Sequence, residues 1–356
     1  MLRLAEPRSE MFAADEDSDG LQCPGTPVTF SAFALPTLSG PRITHHVSRF
    51  TFYVSRLTLS SMSRWQKITV AGVGLLGGSI GLAAKQRRLA ERVCGLVRRP
   101  ESIAECLDAG AVDEAFTDPA RAVEGADLVV LCTPIAQMPA RVAKFLPALK
   151  RGAIVTDVGS VKGGIVAELE PLVSGAGGEF IGSHPMAGAE KMGVGAARAD
   201  LFEGAVCVVT PTVNSSKHAV QKVEEFWQNL GGLPLQMSPE QHDDLVSRSS
   251  HLPHVVAAEL ANYVLSPVHP KEQAMLCATG FRDTTRVASG SPEMWRDIAL
   301  ANRKHLARVL GVFIEDLQEF QHALETQDTK AIEEFFRQAK ERRDAWRASS
   351  ASPSPE

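Results

Sequence analysis

The residue of this sequence best suited to chemistry is His184, inside Gly182-Ser183-His184-Pro185-Met186-Ala187-Gly188. Imidazole titrates near neutral pH, so it can take a proton from a substrate without an extreme environment. Upstream, Gly72-Val73-Gly74-Leu75-Leu76-Gly77 follows a β-branched run and opens a helical one. In that setting GxGxxG is the turn of a dinucleotide site. Gly72 allows the tight turn, Gly74 lets the backbone approach a pyrophosphate, and Gly77 lets helix and strand pack closely. Amides of the helix start, those of Leu75 and Leu76 among them, then face the phosphates. A base and a dinucleotide together describe hydride transfer, with His184 as the expected catalytic base.

Other residues fit around this pair. Asp157-Val158-Gly159-Ser160-Val161-Lys162 ends a strand and starts a helix, so Ser160 is expected as an N-cap whose hydroxyl also reaches the crevice and orients a histidine. Thr133-Pro134 closes the preceding strand and is expected to shape the cofactor cleft. In NAD sites an acid about 20 residues past the turn binds the ribose 2′-hydroxyl, whereas arginine accommodates the 2′-phosphate of NADP. Here Leu96 or Val97 stands there and Arg98-Arg99 follow, which tilts the reading to NADP with NAD left open. His251 and His254 could share a helix face, but no third ligand is evident and no metal site is expected.

Stepping outward, short β-branched runs alternate with helical segments from Lys67, as in a parallel sheet of βαβ units. Strands are expected at 68–73, 92–97, 127–132, 153–158, 205–210 and 233–237, with 180–181 a short one leading into a loop that carries His184. From Pro239 to about Trp346 helical periodicity dominates, and Pro253 is expected to kink the helix bearing His251 and His254. The fold class is therefore α/β, an N-terminal Rossmann-type doubly wound sheet over 65–237 followed by an all-helical dimerisation domain over 238–346. Residues 1–63 are punctuated by prolines and an acidic run, and are expected to be disordered, as is the Ser/Pro-rich tail 347–356. Met62-Ser63-Arg64-Trp65 leads straight into the first strand, so Met62 is an expected alternative start, checked by N-terminal sequencing of the native protein.

A net charge of −5 speaks against a nucleic-acid binder, which would carry a basic excess. No apolar run approaches the roughly 20 residues of a membrane span. The six cysteines are scattered without CxxC or metal-type spacing, as expected of reduced thiols in a cytoplasmic protein.

Four motifs in order, namely Asp157 to Lys162, Gly182-Ser183-His184-Pro185-Met186-Ala187-Gly188-Ala189-Glu190, Ser250-His251-Leu252-Pro253-His254 and Gly280-Phe281-Arg282-Asp283-Thr284-Thr285-Arg286, resemble the prephenate dehydrogenase family, which includes arogenate and cyclohexadienyl dehydrogenases. The resemblance spans about Lys67 to Trp346. It implies oxidative decarboxylation of prephenate to 4-hydroxyphenylpyruvate, or of arogenate to tyrosine, with reduction of NAD or NADP. It also implies that His184 is the catalytic base, Ser160 the hydroxyl beside it, His254 a residue near the substrate, Arg286 the substrate-carboxylate arginine and Arg282 a nearby cation. A homodimer with intertwined helices is implied too. The regulatory ACT domain found in some relatives is not expected after Trp346, nor a chorismate-mutase segment before Lys67. Two rivals stand against this reading. One is another Rossmann-plus-helices dehydrogenase, of the β-hydroxyacid type, which would need its own substrate-loop motif and catalytic lysine; neither is found, and Lys162 after Ser160 fits the prephenate dehydrogenase pattern better. The other is an NAD(P)-binding regulator without chemistry.

Overall fold

A central strand of a parallel sheet is covered on both faces, so its sequence is a continuous apolar run. Leu128–Leu131 is such a run, all four residues buried, and it lies at the middle of an eight-stranded sheet. The computed structural model describes residues 65–188 and 192–350, so the expectations for 1–63, Met62 included, and for the end of the tail lie outside the described residues. The strands are β1 (Trp65–Ala71), β2 (Ala90–Leu96), β3 (Glu114–Phe116), β4 (Leu128–Leu131), β5 (Ile154–Asp157), β6 (Glu179–Pro185), β7 (Val206–Thr210) and β8 (Leu233–Gln236). Helices α1 (Leu75–Gln86), α2 (Glu101–Asp108), α3 (Pro119–Val123), α4 (Met138–Phe145), α5 (Gly163–Gly175) and α6 (Lys217–Asn229) connect them.

The strand order is β3-β2-β1-β4-β5-β6-β7-β8. Pairing is parallel from β3 through to β6, β7 runs antiparallel to β6, and β8 is parallel to β7. The order reverses between β1 and β4, which is the switch point where ligands of such sheets bind beyond the carboxyl ends. One core layer gathers Ile80 of α1 with Phe226 and Trp227 of α6; the other gathers Met138 and Phe145 of α4 with Leu169 and Val173 of α5. Two apolar layers, one on each face, make the sheet doubly wound.

Three local expectations change. His184 is not in a loop: β6 runs on to Pro185, and His184 pairs with Val208 of β7. The antiparallel partner, distant in sequence, supplies the hydrogen bonds that extend the strand. Ser160 is not an N-cap, because α5 starts at Gly163 with Lys162 before it and no side chain of its own capping it. The cap comes from elsewhere, as the site shows. The helix at the carboxyl end runs to Ser350, past the expected end at Trp346.

Beyond β8 the chain is helical. Ser238 caps α7 (Pro239–Val246) by accepting from the Gln241 amide. A single π-helical turn, Ser247–His251, joins α7 to α8 (Leu252–Val264). Where a kink at Pro253 is expected, the helical path instead passes through this π turn. Pro253 sits in the first turn of α8, where a missing N–H costs little. Then come α9 (Lys271–Met275), α10 (Thr279–Thr285), a 3₁₀ turn Arg286–Ser289, α11 (Pro292–Ala301), α12 (Arg303–Glu325) and α13 (Thr329–Ser350). Sheet and helices belong to one unit. Ile298 and Trp295 of α11 reach the α4/α5 core layer and hold the helical half against the sheet.

Candidate active site

The turn after β1 has the backbone a dinucleotide needs. Gly72 has φ +102°, and a Cβ there would stand 2.8 Å from the Cys132 carbonyl oxygen. At Gly77 a Cβ would collide with the Gly72 carbonyl oxygen, so helix and turn close only over glycine. Space beside Gly74 is open. The first helical bond of α1 runs from the Gly78 amide to the Gly74 carbonyl, leaving the amides of Leu75, Leu76 and Gly77 unclaimed within the helix. A cavity of about 250 Å³ lies against this turn, lined by Gly72, Val73, Gly74, Arg98, Thr133 and Arg141 among others. No acid lines it. Thr133 Oγ1 and Arg141 Nε are buried there without hydrogen-bond partners among the described residues, as expected of groups that await a polar ligand. Arg98 and Pro134 take the expected places on the lining; Arg99 is not part of it.

His184 stands at the carboxyl end of β6, on the same sheet edge as the Gly72 turn, Thr133 after β4 and Ser160 after β5. Its Nδ1 lies 2.9 Å from His242 Nε2, and the two rings meet edge to face. His242 Nδ1 lies 2.8 Å from Asp243 Oδ1. The carboxylate of Asp243 also accepts the amides of Lys162 at 2.7 Å and Gly163 at 2.8 Å, and so caps α5 from another helix. This explains why Ser160 is not the cap. No hydrogen bond among the described residues joins Ser160 to His184; the main chain of Ser160 lies instead by the His251 ring.

Beneath His184 is a fully buried ion pair between Lys162 and Asp157. Lys162 Nζ also donates to the Ser183 carbonyl at 2.9 Å, and Asp157 accepts the Gly159 and Ser183 amides. The amine is therefore buried and held by a carboxylate and a carbonyl. Burial pushes the proton affinity of His184 well below the ordinary histidine value, and His242, Lys162 and His251 add to this. Burial also lowers that of His242, with the Asp243 hydrogen bond opposing it. Asp243 moves the other way from burial, because hydrogen bonds from His242, Lys162 and Gly163 hold its carboxyl below the usual range. Near neutral pH the assembly holds two neutral imidazoles and one carboxylate.

On the helical side, His254 Nδ1 donates to the Ser250 carbonyl at 2.9 Å, and its ring stacks on Trp295 with centroids 3.8 Å apart. The Arg286 guanidinium is close enough to lower the His254 proton affinity, after the larger effects of burial and of the Ser250 bond. Arg282, one turn earlier on α10, has no hydrogen bond or ion pair that ties it to His254. His251 is buried in the π turn, where Asn302 Nδ2 donates to its Nδ1 at 3.1 Å, and burial first of all takes it down to about 4. The sequence reading missed His242, Asp243 and Trp295 here, as it missed Arg141 in the dinucleotide cleft. Two adjacent polar residues on the buried stripe of α7, His242 and Asp243 beside Val246, were the one available signal.

A dinucleotide cleft and an unprotonated imidazole on one sheet edge define the class, an NAD(P)-linked dehydrogenase with a helical second half. Comparison with known proteins narrows it. The family model "Prephenate dehydrogenase, nucleotide-binding domain" matches residues 80–234, and "Prephenate dehydrogenase, dimerization domain" matches residues 238–338. Prephenate dehydrogenase of Bacillus subtilis is 34% identical over 283 residues, covering 78% of this chain and 75% of that protein. A crystal structure of prephenate dehydrogenase from A. aeolicus, in complex with hydroxyphenyl propionate and NAD+, is 32% identical with a TM-score of 0.75, over 80% of this chain and 99% of that one. That of Synechocystis arogenate dehydrogenase is 31% identical with a TM-score of 0.68, over 79% and 100%. The chain belongs to the prephenate dehydrogenase family.

Proposed function

We propose that this protein oxidatively decarboxylates prephenate to 4-hydroxyphenylpyruvate, or arogenate to tyrosine, with NAD(P) as the oxidant. The observation that carries the reading is the placement of His184, whose Nδ1 is engaged by His242 and whose Nε2 has no hydrogen bond among the described residues, at the sheet edge next to the dinucleotide turn. The Gly72 turn, the free amides of Leu75 and Leu76, and Thr133 fit the cofactor, whose oxidised nicotinamide would supply the two-electron acceptor. His184 takes the proton of the ring C4 hydroxyl as that carbon is oxidised to the carbonyl level. The electron pair of the bond to the ring carboxylate then passes into the ring, CO2 leaves, and the aromatic oxygen recovers a proton as phenol. Aromaticity drives the step. The protein's part is to place a base and to fix the substrate's charges.

Arg286 holds a substrate carboxylate, for which a guanidinium offers two parallel hydrogen bonds. Arg282, on the last turn of α10 just before Arg286, adds positive charge nearby. The Trp295–His254 stack offers the substrate a flat apolar wall, and Ser160 lines the edge between cofactor and substrate. Hydroxyphenyl propionate, bound by the A. aeolicus relative, carries a phenol ring and a carboxylate, the two groups these residues would meet. NADP is the cofactor favoured by Arg98 and Arg141. They face one cleft without an acid between them, and burial and then Arg98 lower the proton affinity of Arg141. Arg98→Ala should raise KM for NADP about tenfold more than KM for NAD, the loss of one charge-assisted contact.

The domains divide between Met237 and Ser238, and the helical one dimerises. Val312, Leu317, Phe335 and Phe336 of α12 and α13 are all exposed apolar residues in the single chain, which is what an uncovered interface looks like. The reaction is tested by following reduced nicotinamide with prephenate and arogenate, each with NAD and NADP. Turnover of one or both is expected. Cofactor binding without reduction on either substrate would refute the reading and favour a non-catalytic regulator.

A further inference from the structure

We propose that His242 and Asp243 are positioning residues that set the tautomer of His184, so that its Nε2 is always the unprotonated nitrogen. The proposal rests on the reading of His184 as the base. A carboxylate has no proton to give, so the 2.8 Å contact requires His242 Nδ1 to donate to Asp243. His242 Nε2 is then a bare acceptor, and the 2.9 Å contact requires His184 Nδ1 to donate to it. One tautomer of His184 remains, with the lone pair on Nε2, the nitrogen that has no partner among the described residues.

The arrangement works only while His242 is neutral. As a cation it would donate from both nitrogens, His184 Nδ1 would have to accept, and Nε2 would carry the proton and be useless as a base. The surroundings prevent this. His242 is fully buried, the Lys162 ammonium from the start of α5 repels a second positive charge, and His251 of the π turn adds no anion. Asp157 is already paired with Lys162. Asp243 cannot rotate away from His242, because the Lys162 and Gly163 amides hold both of its oxygens and Asn302 Nδ2 donates to its main-chain carbonyl at 2.8 Å. The amides of a helix start also keep the carboxylate ionised. When His184 accepts a proton at Nε2, its Nδ1–H bond to His242 strengthens and the Asp243 charge stabilises the imidazolium. No second proton transfer is needed.

The test is imidazole ¹⁵N NMR of the full chain labelled at histidine, with His184 assigned by its loss in His184→Asn. At neutral pH the His184 Nδ1 should show the shift of a protonated nitrogen and Nε2 that of a bare one. A wild-type His184 protonated at Nε2 would overturn the proposal, and this readout needs neither a variant nor a substrate. Kinetics add a second check. His242→Leu should lower kcat about 100-fold, at the lower end of what a positioned base contributes, with little change in KM. His242→Gln, whose amide oxygen can accept the Nδ1–H, should regain part of it. Asp243→Asn should move the acid limb of kcat/KM to lower pH, since the imidazolium loses a stabilising charge; a purely structural role would lower the active fraction and leave that limb in place. Unchanged kcat in His242→Leu would also overturn the proposal. The predicted tautomer in a chain that turned over neither substrate would refute the proposed reaction and leave the histidine pair standing.

Discussion

The two halves of the molecule bury their apolar residues very differently. From Ile68 to Leu230 the sheet and its helices form two core layers in which Trp227, Phe145, Phe202 and Met138 are fully enclosed. After Pro239 the buried apolar side chains of the described residues are few, Val246, Ala257, Ile298, Leu306, Val309 and Ala323, while Met275 is 84% and Phe336 60% exposed. A half with a complete core can hold a cofactor alone. The helical half carries His254, Arg286 and the His242–Asp243 pair, and its exposed apolar face on α12 and α13 is the one that the proposed dimer would cover.

Three substitutions probe that contrast, taken from the largest expected effect down. Lys162→Met leaves Asp157 buried and unpaired in the sheet half, which should cost about 3–5 kcal/mol in chemical denaturation. Phe336→Asp acts on the helical half. It should weaken the dimer by about 2 kcal/mol or more, seen as dissociation by light scattering, with dinucleotide binding kept. If dimerisation survived unchanged, the exposed face of α12 and α13 would not be the interface. Arg286→Ala touches neither core nor dinucleotide cleft. It should raise substrate KM by at least about tenfold with kcat within a few-fold, the signature of lost ground-state binding in steady-state kinetics.

The same contrast governs what the sequence reveals. Short continuous apolar runs and the GxGxxG turn are local, so the order of elements in the sheet half is readable to within a few residues of their ends. The environment of His184 is not local. Its strand is extended by β7, its Nδ1 partner lies 58 residues away, and the cap of α5 is supplied 81 residues along the chain. Asp243 in the sequence looks like one more acid in the first turns of a helix, favoured by the macrodipole. Only the packing of α7 against α5 turns it into a ligand for two amides and an imidazole. Likewise Trp295 sits among apolar residues at helical spacing and reads as packing, until the fold stacks it on His254. Arg98 was legible because its place is fixed by the strand before it, whereas Arg141, on a helix after a different strand, reaches the same cleft only in three dimensions.

The central claim is that a buried, neutral His184 is the base. It is tested most directly by His184→Asn, with kcat and dinucleotide Kd measured on the same preparation, beside the pH profile of the unaltered chain. Because the folded imidazole is held below its ordinary value, the unaltered chain should keep kcat/KM as pH falls past 6.5 and lose it only further into acid. The variant should retain its Kd and lose on the order of 10²–10⁴-fold in kcat, the range a positioned base supplies. Near-normal turnover in His184→Asn would contradict the account and make the histidine a structural residue of β6.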